Sequence, residues 1–243
     1  MKHFILAVAL IASPALAASR PVPASDLLIR QSSPTLTWRW RAAPETATQP
    51  ALLRQLRIAT LQDAAKARAT ANRDAASAKK SGFPFHRHES ITDWSLAADT
   101  PHLLALSGLN YSFTGGAHGN TGYTAKIWDK PARRAIPISG LFSDWPRARK
   151  LMEPVFCQAL AEEQKRRVGQ PQADSEKCPK LSEQPIVPWG DLATRAPQFR
   201  VLVGPYVAGS YAEGSYLITV MWPDAVKALV KPAYRSDLFG DGD

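Results

Sequence analysis

The sequence predicts an α+β fold: largely antiparallel sheet or sheets packed with two main helices and a short C-terminal helix. Several short runs alternate apolar and polar residues with a period of two, the spacing of a half-buried strand. A stretch from Ala51 to about Lys80 is rich in Ala, Leu, Arg, Lys and Gln and holds neither Gly nor Pro. The order strand, helix, strands, helix, strands, helix segregates the elements rather than interleaving them as β-α-β units.

Leu36-Thr37-Trp38-Arg39-Trp40 reads as the first strand, and Pro44 and Pro50 bracket the turn into the long helix. On that helix Leu52, Leu53, Leu56 and Ala59 share an apolar face, with Ile58 and Leu61 off it, so one buried turn leads into a solvated tail. Ile91 to Leu96 and Leu103 to Phe113 follow as strands. In the second, Leu103, Ala105, Leu109, Tyr111 and Phe113 fall on one face, broken only by Ser107; Gly108, Asn110, Ser112 and Thr114 fall on the other, and one face is expected to be buried. Tyr123 to Trp128 resumes the alternation, which makes the two runs a hairpin around a glycine-rich tip at 114–122. Ile136 to Ile138 reads as a short edge strand. Asp144 is placed to cap a second helix running to about Arg167, with Pro146 in its first turn. The Pro-, Gln-, Lys- and Glu-rich stretch from Gly169 to Pro188 reads as loop, Phe199–Val203 and Ser215–Val220 as strands, and Pro223–Leu229 as a short helix.

The chain has 243 residues, 45% of them hydrophobic, enough for a sizeable core; 20 prolines and 14 glycines exclude a coiled coil. Met1-Lys2-His3, the apolar Phe4–Ala12 and Ala15-Leu16-Ala17 make a signal peptide over 1–17 with cleavage after Ala17, which implies a periplasmic or secreted protein. No later apolar run is long enough to span a bilayer, so no transmembrane anchor is expected after cleavage. Residues 18–33 read as a flexible lead-in, and 34–243 as one α+β domain with two candidate subdomains, about 34–130 and 131–239. In an oxidising compartment the only two cysteines, Cys157 and Cys178, are expected to form a disulfide. The net charge of +9 points to anionic surroundings, and nine basic against three acidic residues between Trp38 and Lys80 carry most of it. Export makes nucleic acid a poor partner and envelope polymer or lipid headgroups the natural ones, although a solvated helix face accounts for the same charges.

Gly115-Gly116-Ala117-His118-Gly119-Asn120 is the leading candidate site: glycines let backbone N–H groups approach a ligand, and His118 can donate, accept or bind metal. A purely structural hairpin tip accounts for the same residues. The loop lacks the Gly-Lys-Ser/Thr ending of a phosphate-binding loop and does not open a helix. His86 and His88 lie on one side of an extended segment and with His118 would complete a three-histidine metal site, but ordinary surface histidines are the simpler reading, so no metal or cofactor is assigned. No Gly-x-Ser-x-Gly elbow exists, and Ser112, Ser210 and Ser215 have no distinguishing context, so no catalytic residue is assigned. Glu213 with Asp93, Asp99 or Asp129 is a conceivable carboxylate couple for glycan cleavage; capping a turn or pairing with an arginine is the simpler role. Tyr111, Trp128, Tyr206 and Tyr211 offer a stacking platform unless they fill the core.

Three segments together resemble a known family. Tyr111-Ser112-Phe113-Thr114-Gly115-Gly116-Ala117-His118-Gly119 is similar to its Tyr-x-x-Thr-Gly-Gly-Ala-His-Gly signature. Gly204-Pro205-Tyr206-Val207-Ala208-Gly209-Ser210-Tyr211-Ala212-Glu213-Gly214 resembles its Pro-Tyr-x-x-Gly-x-Tyr-Ala-Glu-Gly segment, and Met221-Trp222-Pro223 with Lys231-Pro232 resembles its closing strand and helix. This is the RsiV-like domain of unknown function, found in the extracytoplasmic part of the anti-sigma factor RsiV and beside the deacetylase domain of PdaC. The resemblance runs from roughly Ser33 to Phe239 and implies an α+β envelope domain that recognises a ligand. It places candidate ligand-binding residues at Tyr111, Gly115, Gly116, His118, Asn120, Tyr206, Tyr211 and Glu213. The expected function is an exported binding or interaction protein directed at a cell-wall glycan or an envelope protein. The alternative is a peptidoglycan-directed hydrolase or deacetylase with His118 as acid/base and Glu213 or an aspartate as its partner.

Overall fold

The computed structural model describes residues 23–169, 178–190 and 195–240. The predicted signal peptide, its cleavage after Ala17 and residues 170–177 of the polar stretch lie outside the described residues. The elements are β1 (Leu28–Ser32), β2 (Leu36–Arg41), α1 (Pro50–Ser81), β3 (His88–Asp99), β4 (Leu103–Phe113), β5 (Asn120–Asp129), β6 (Arg134–Ile136), α2 (Trp145–Val168), β7 (Ile186–Trp189), β8 (Gln198–Val203), β9 (Tyr216–Met221), α3 (Asp224–Lys227) and α4 (Pro232–Phe239).

The α+β class holds. Six strands form one sheet in the order β1-β2-β3-β4-β5-β6, and β7-β8-β9 form a second. Every pairing is antiparallel except β2 with β3, which is parallel. Parallel neighbours need a crossover, and the 32-residue α1 supplies it.

Two hydrophobic clusters share this sheet. On one face Trp38, Trp40, Leu104, Leu106 and Trp128 pack with Leu52, Leu53 and Leu56 of α1. On the other, Leu103, Ala105 and Ile127 pack with Met152, Phe156 and Leu160 of α2 and with Phe199, Val201 and Tyr216 of the second sheet. The β4–β5 hairpin forms around the expected glycine-rich tip, with Ser112 opposite Asn120 and Leu103 opposite Asp129. The expectation that β4 buries a single face is corrected: Leu103 to Leu106 are all 0% exposed, and half-buried or open positions are Ser107 and the distal half from Leu109 on.

Three further stretches depart from the sequence reading. Leu28–Ser32, assigned to the flexible lead-in, pair with β2 as an edge strand. Polar alternation hides this strand because both of its faces are only partly covered. Ala59 is exposed and Thr60 is buried in its place, because the buried side of α1 continues through Thr60, Ala64 and Ala71. Ile58 and Leu61 lie off the face as expected, 53% and 48% exposed. Finally, the end of the loop-like stretch before Pro188 contains β7, whose Ile186, Val187 and Pro188 are buried against β8.

Asp144 caps α2, its carboxylate accepting from the backbone N–H of Arg147 at 3.0 Å. Cys157 in α2 is bonded to Cys178, tying the helix to the segment that leads into β7. At the other end of the second half, His102 and the fully buried Asp237 of α4 lie 2.9 Å apart, and Asp237 also accepts from the His102 N–H. Closing a loop of 21 residues restricts the unfolded chain, so Cys157→Ser with Cys178→Ser is expected to lower unfolding free energy by about 3 kcal/mol. Thermal unfolding of the parent with and without reductant, beside the double variant, checks this; equal midpoints in all three samples would refute it.

Candidate functional site

The glycine-rich tip between β4 and β5 meets the segment between β8 and β9. His118 stacks on Tyr211 with ring centroids 3.8 Å apart, and the Tyr206 hydroxyl lies 3.2 Å from His118 Nε2. The Tyr211 hydroxyl donates to the Gly119 carbonyl at 2.8 Å, and His118 Nδ1 lies 2.9 Å from the same oxygen. Gly119 is buried, and any side chain there would collide with the Tyr111 ring. That glycine is therefore required by close approach, whereas Gly115 adopts φ +91° to turn the chain. The result is an aromatic cluster of His118, Tyr206 and Tyr211 at one end of the molecule, with Tyr111 beneath it.

Tyr206 is the unusual member. Its φ is +68°, a left-handed conformation that costs a non-glycine residue about 1–3 kcal/mol, and it is 61% exposed. Neighbouring Val207 is 44% exposed. A strained, solvent-facing aromatic ring is thus held in place by its surroundings.

Those surroundings are the last turns of α2. Gln164, almost wholly buried, donates through Nε2 to the Ala208 carbonyl at 2.5 Å. Arg167 donates to the carbonyls of Glu213 and Ser215 at 3.0 and 2.8 Å, and its guanidinium lies 4.3 Å over the Tyr216 ring. Glu163 holds Arg167 and Arg166 in turn, and these hydrogen bonds, Arg166's first, keep its carboxyl down at about 2. Gln164, Arg167 and Tyr216 carried no motif in the sequence; the only signal was the run of polar residues near the end of a helix that also holds a cysteine.

Glu213 serves as a cap. One carboxylate oxygen accepts from the Ser210 N–H at 2.7 Å and the other from the Tyr216 hydroxyl at 2.5 Å, completing a capping box with Ser210. The Tyr216 bond foremost, then Ser210, lowers the Glu213 pKa, while burial, assisted by Glu213, pushes the Tyr216 hydroxyl up to about 12.

The remaining candidates go elsewhere. Gly116 and Asn120 are exposed at the tip, and Asn120 opens β5 opposite Ser112. Trp128 is fully buried, its indole N–H donating to Gln49, so it belongs to the core rather than the stacking platform. Asp93 pairs with Arg39 and Arg41, Asp99 with Lys130, and Asp129 accepts from Tyr234; none of them joins Glu213 as a carboxylate couple. His88 is not a surface residue: it is 4% exposed, 3.6 Å from Asp74 and packed against Phe85. Among the described residues no group of three or more His, Cys, Asp or Glu side chains stands close enough to share a metal ion.

Residues 43–121 match the family model of the deacetylase PdaC. No curated protein matches the chain. Two solved structures share its fold: a DUF3298 family protein from Pseudomonas aeruginosa PAO1 and a member of the DUF3298 family from Bacteroides fragilis NCTC 9343. The first is 16% identical with a TM-score of 0.52, the second 14% identical with a TM-score of 0.57; each comparison covers 88% of this chain and 96% of the other. Residues 43–121 are thus similar to a PdaC-type domain, and the fold is the one these two DUF3298 structures share. The PdaC-type match takes in α1, β3, β4 and the glycine-rich tip with His118, while Tyr206, Tyr211 and Glu213 lie beyond it and join the site through the fold.

Because its pKa is lowered on folding, Glu213 contributes stability that is present above the ordinary carboxylate value of 4.5 and is lost as pH falls through the folded value. Glu213→Gln is therefore expected to destabilise the fold at pH 7, by about 1–2 kcal/mol for two weakened hydrogen bonds. The difference from the parent should close as pH falls below 4.5; a gap in denaturant midpoint that stays constant from pH 7 to 3 would contradict the assignment.

Proposed function

We propose that this chain is an exported, non-enzymatic binding protein of the cell envelope, and that its ligand surface is the His118–Tyr206–Tyr211 cluster, directed at cell-wall glycan. The observation that carries the reading is Tyr206: an exposed aromatic ring kept at positive φ, hydrogen-bonded to a histidine that is itself stacked on a second tyrosine. Strain of this kind persists where the surrounding contacts over-determine it, and it is common at ligand clamps. Three adjoining rings with hydroxyl and imidazole edges suit a sugar, which offers a C–H face for stacking and hydroxyls for the edges. The disulfide fits an oxidising compartment, and no described helix is long and apolar enough to cross a membrane.

A second reading, a glycan deacetylase or hydrolase, takes support from the description of the matching family model. It asks Glu213 to partner His118, yet both Glu213 oxygens are occupied by the capping box and Tyr216. Binding is therefore the preferred reading.

The test is incubation of residues 18–243 with insoluble peptidoglycan, scoring both co-sedimentation and release of acetate or soluble fragments. Retention without release, weakened about tenfold in Tyr206→Ala, is expected. Release abolished by His118→Ala would make the protein an enzyme, and neither retention nor release would end the glycan reading. Tyr206→Gly separates binding from folding. Relief of the positive φ offsets the lost hydroxyl bond, so thermal stability should stay within about 1 kcal/mol of the parent while retention falls. A Tyr206→Gly variant that binds as the parent does would remove this ring from the site.

A further inference from the structure

Helix α1 packs on the six-stranded sheet through Leu52, Leu53 and Leu56, while Thr92, Trp94 and Asn110 on β3 and β4 are only half-buried and Thr124 on β5 is exposed. There a groove of about 280 Å³ runs between the helix, at Leu56 and Thr60, and the sheet. Asn110 and Tyr111 are consecutive on a strand, so this groove lies on the face of the sheet opposite to the one that carries Tyr111 beneath the aromatic cluster.

The sheet presents an unusual set of side chains to this groove. Trp94 lies over Gly108, its partner on β4; a Cβ at Gly108 would stand 3.0 Å from the indole ring and 2.6 Å from Thr124 Oγ1. The glycine thus lets the indole lie flat as a floor, with only part of its surface covered. Beside it Thr92, Asn110 and Thr124 form a polar rung across three strands. The Thr92 hydroxyl donates to Asn110 Oδ1 at 3.2 Å, and Asn110 Nδ2 donates to Thr124 Oγ1 at 3.4 Å. One amide hydrogen of Asn110 and the hydroxyl hydrogen of Thr124 have no partner among the described residues, so this rung at the groove keeps one N–H and one O–H donor available. The charged groups, Asp63 and Lys126, stand on α1 and β5 rather than on the Trp94 floor.

We infer that this groove is a second binding site, independent of the His118–Tyr206–Tyr211 cluster, and that it takes a single neutral pyranose ring. A flat indole beside amide and hydroxyl donors matches a ligand with an apolar C–H face and a hydroxyl-bearing edge. The volume lies just below the usual range of ligand pockets, roughly 300–1,000 Å³, which suits one ring and not a chain. Asp63 and Lys126 in the lining are of opposite sign, so the groove offers no net charge to favour an anionic or a cationic ligand over a neutral one.

The test is an NMR titration of the ¹⁵N-labelled chain, residues 18–243, with N-acetylglucosamine and with glucose, using glycerol as the control. The Trp94 indole N–H and the Asn110 side-chain amide are expected to shift saturably with at least one sugar, with affinity on the order of millimolar. Trp94→Ala should weaken this at least tenfold, roughly 1.4 kcal/mol, and Tyr206→Ala should leave it unchanged. Asn110→Ala, a substitution on a half-buried strand position, gives the same readout should Trp94→Ala fail to fold. The inference is overturned by the absence of saturable shifts with either sugar, by equal shifts with glycerol, or by binding that survives both groove variants. Loss of the shifts in Tyr206→Ala would also overturn it, by moving the sugar to the aromatic cluster. Peptidoglycan retention plays no part in this readout, so failure here and failure of the proposed function are distinguishable.

Discussion

Leu103, Leu104, Ala105 and Leu106 are all wholly buried, and successive side chains leave a strand on opposite faces, so this short run has to be covered from both sides at once. Leu104 and Leu106 meet α1, while Leu103 and Ala105 meet α2 and the second sheet. The two halves of the protein are therefore built on one strand. Burial of a leucine-sized side chain is worth roughly 1.5–3 kcal/mol, and β4 collects that on both faces within four residues. Past Gly108 the double cover ends, and the same hairpin continues outward as a half-buried arm ending in the glycine-rich tip.

That geometry explains where the candidate site sits. A hairpin anchored deeply at its base is a rigid lever, and its tip carries His118 to the β8–β9 connection. The connection is fixed separately by α2, through Gln164 on the Ala208 carbonyl and Arg167 on the carbonyls of Glu213 and Ser215. α2 is itself tied by the disulfide and by the burial of Met152, Phe156 and Leu160. The hairpin that carries His118 packs into both cores, whereas the connection that carries Tyr206 and Tyr211 is fixed within the core shared by α2 and the second sheet. Such an arrangement holds Tyr206 in a conformation that the isolated segment would leave.

The acidic residues tell a consistent story about chemistry. Glu213, Asp93, Asp99 and Asp129 each have a definite structural partner, and the pKa of Glu213 moves downward. A general acid would need the opposite shift, toward neutral pH. The polar groups with unused donors lie instead beside aromatic rings, at Asn110 and Thr124 next to Trp94. These placements are the support for the binding role proposed above.

Much of this was legible along the chain because it depends on neighbours in sequence. The period of β4 and β5, the Gly- and Pro-free course of α1, the Asp144 cap and the pairing of the only two cysteines follow from local pattern and composition. So did the choice of the two glycine- and tyrosine-rich segments as candidates, through their resemblance to a family. Tertiary structure decided what local pattern leaves open. A strand such as β1 or β7 shows itself only when a neighbour supplies its hydrogen bonds, and Thr60 rather than Ala59 is buried because the sheet lies on that side of the helix. The meeting of His118 with Tyr206, 88 positions away, has no local cause, because burial and long-range contact depend on distances between elements and not on spacing along the chain.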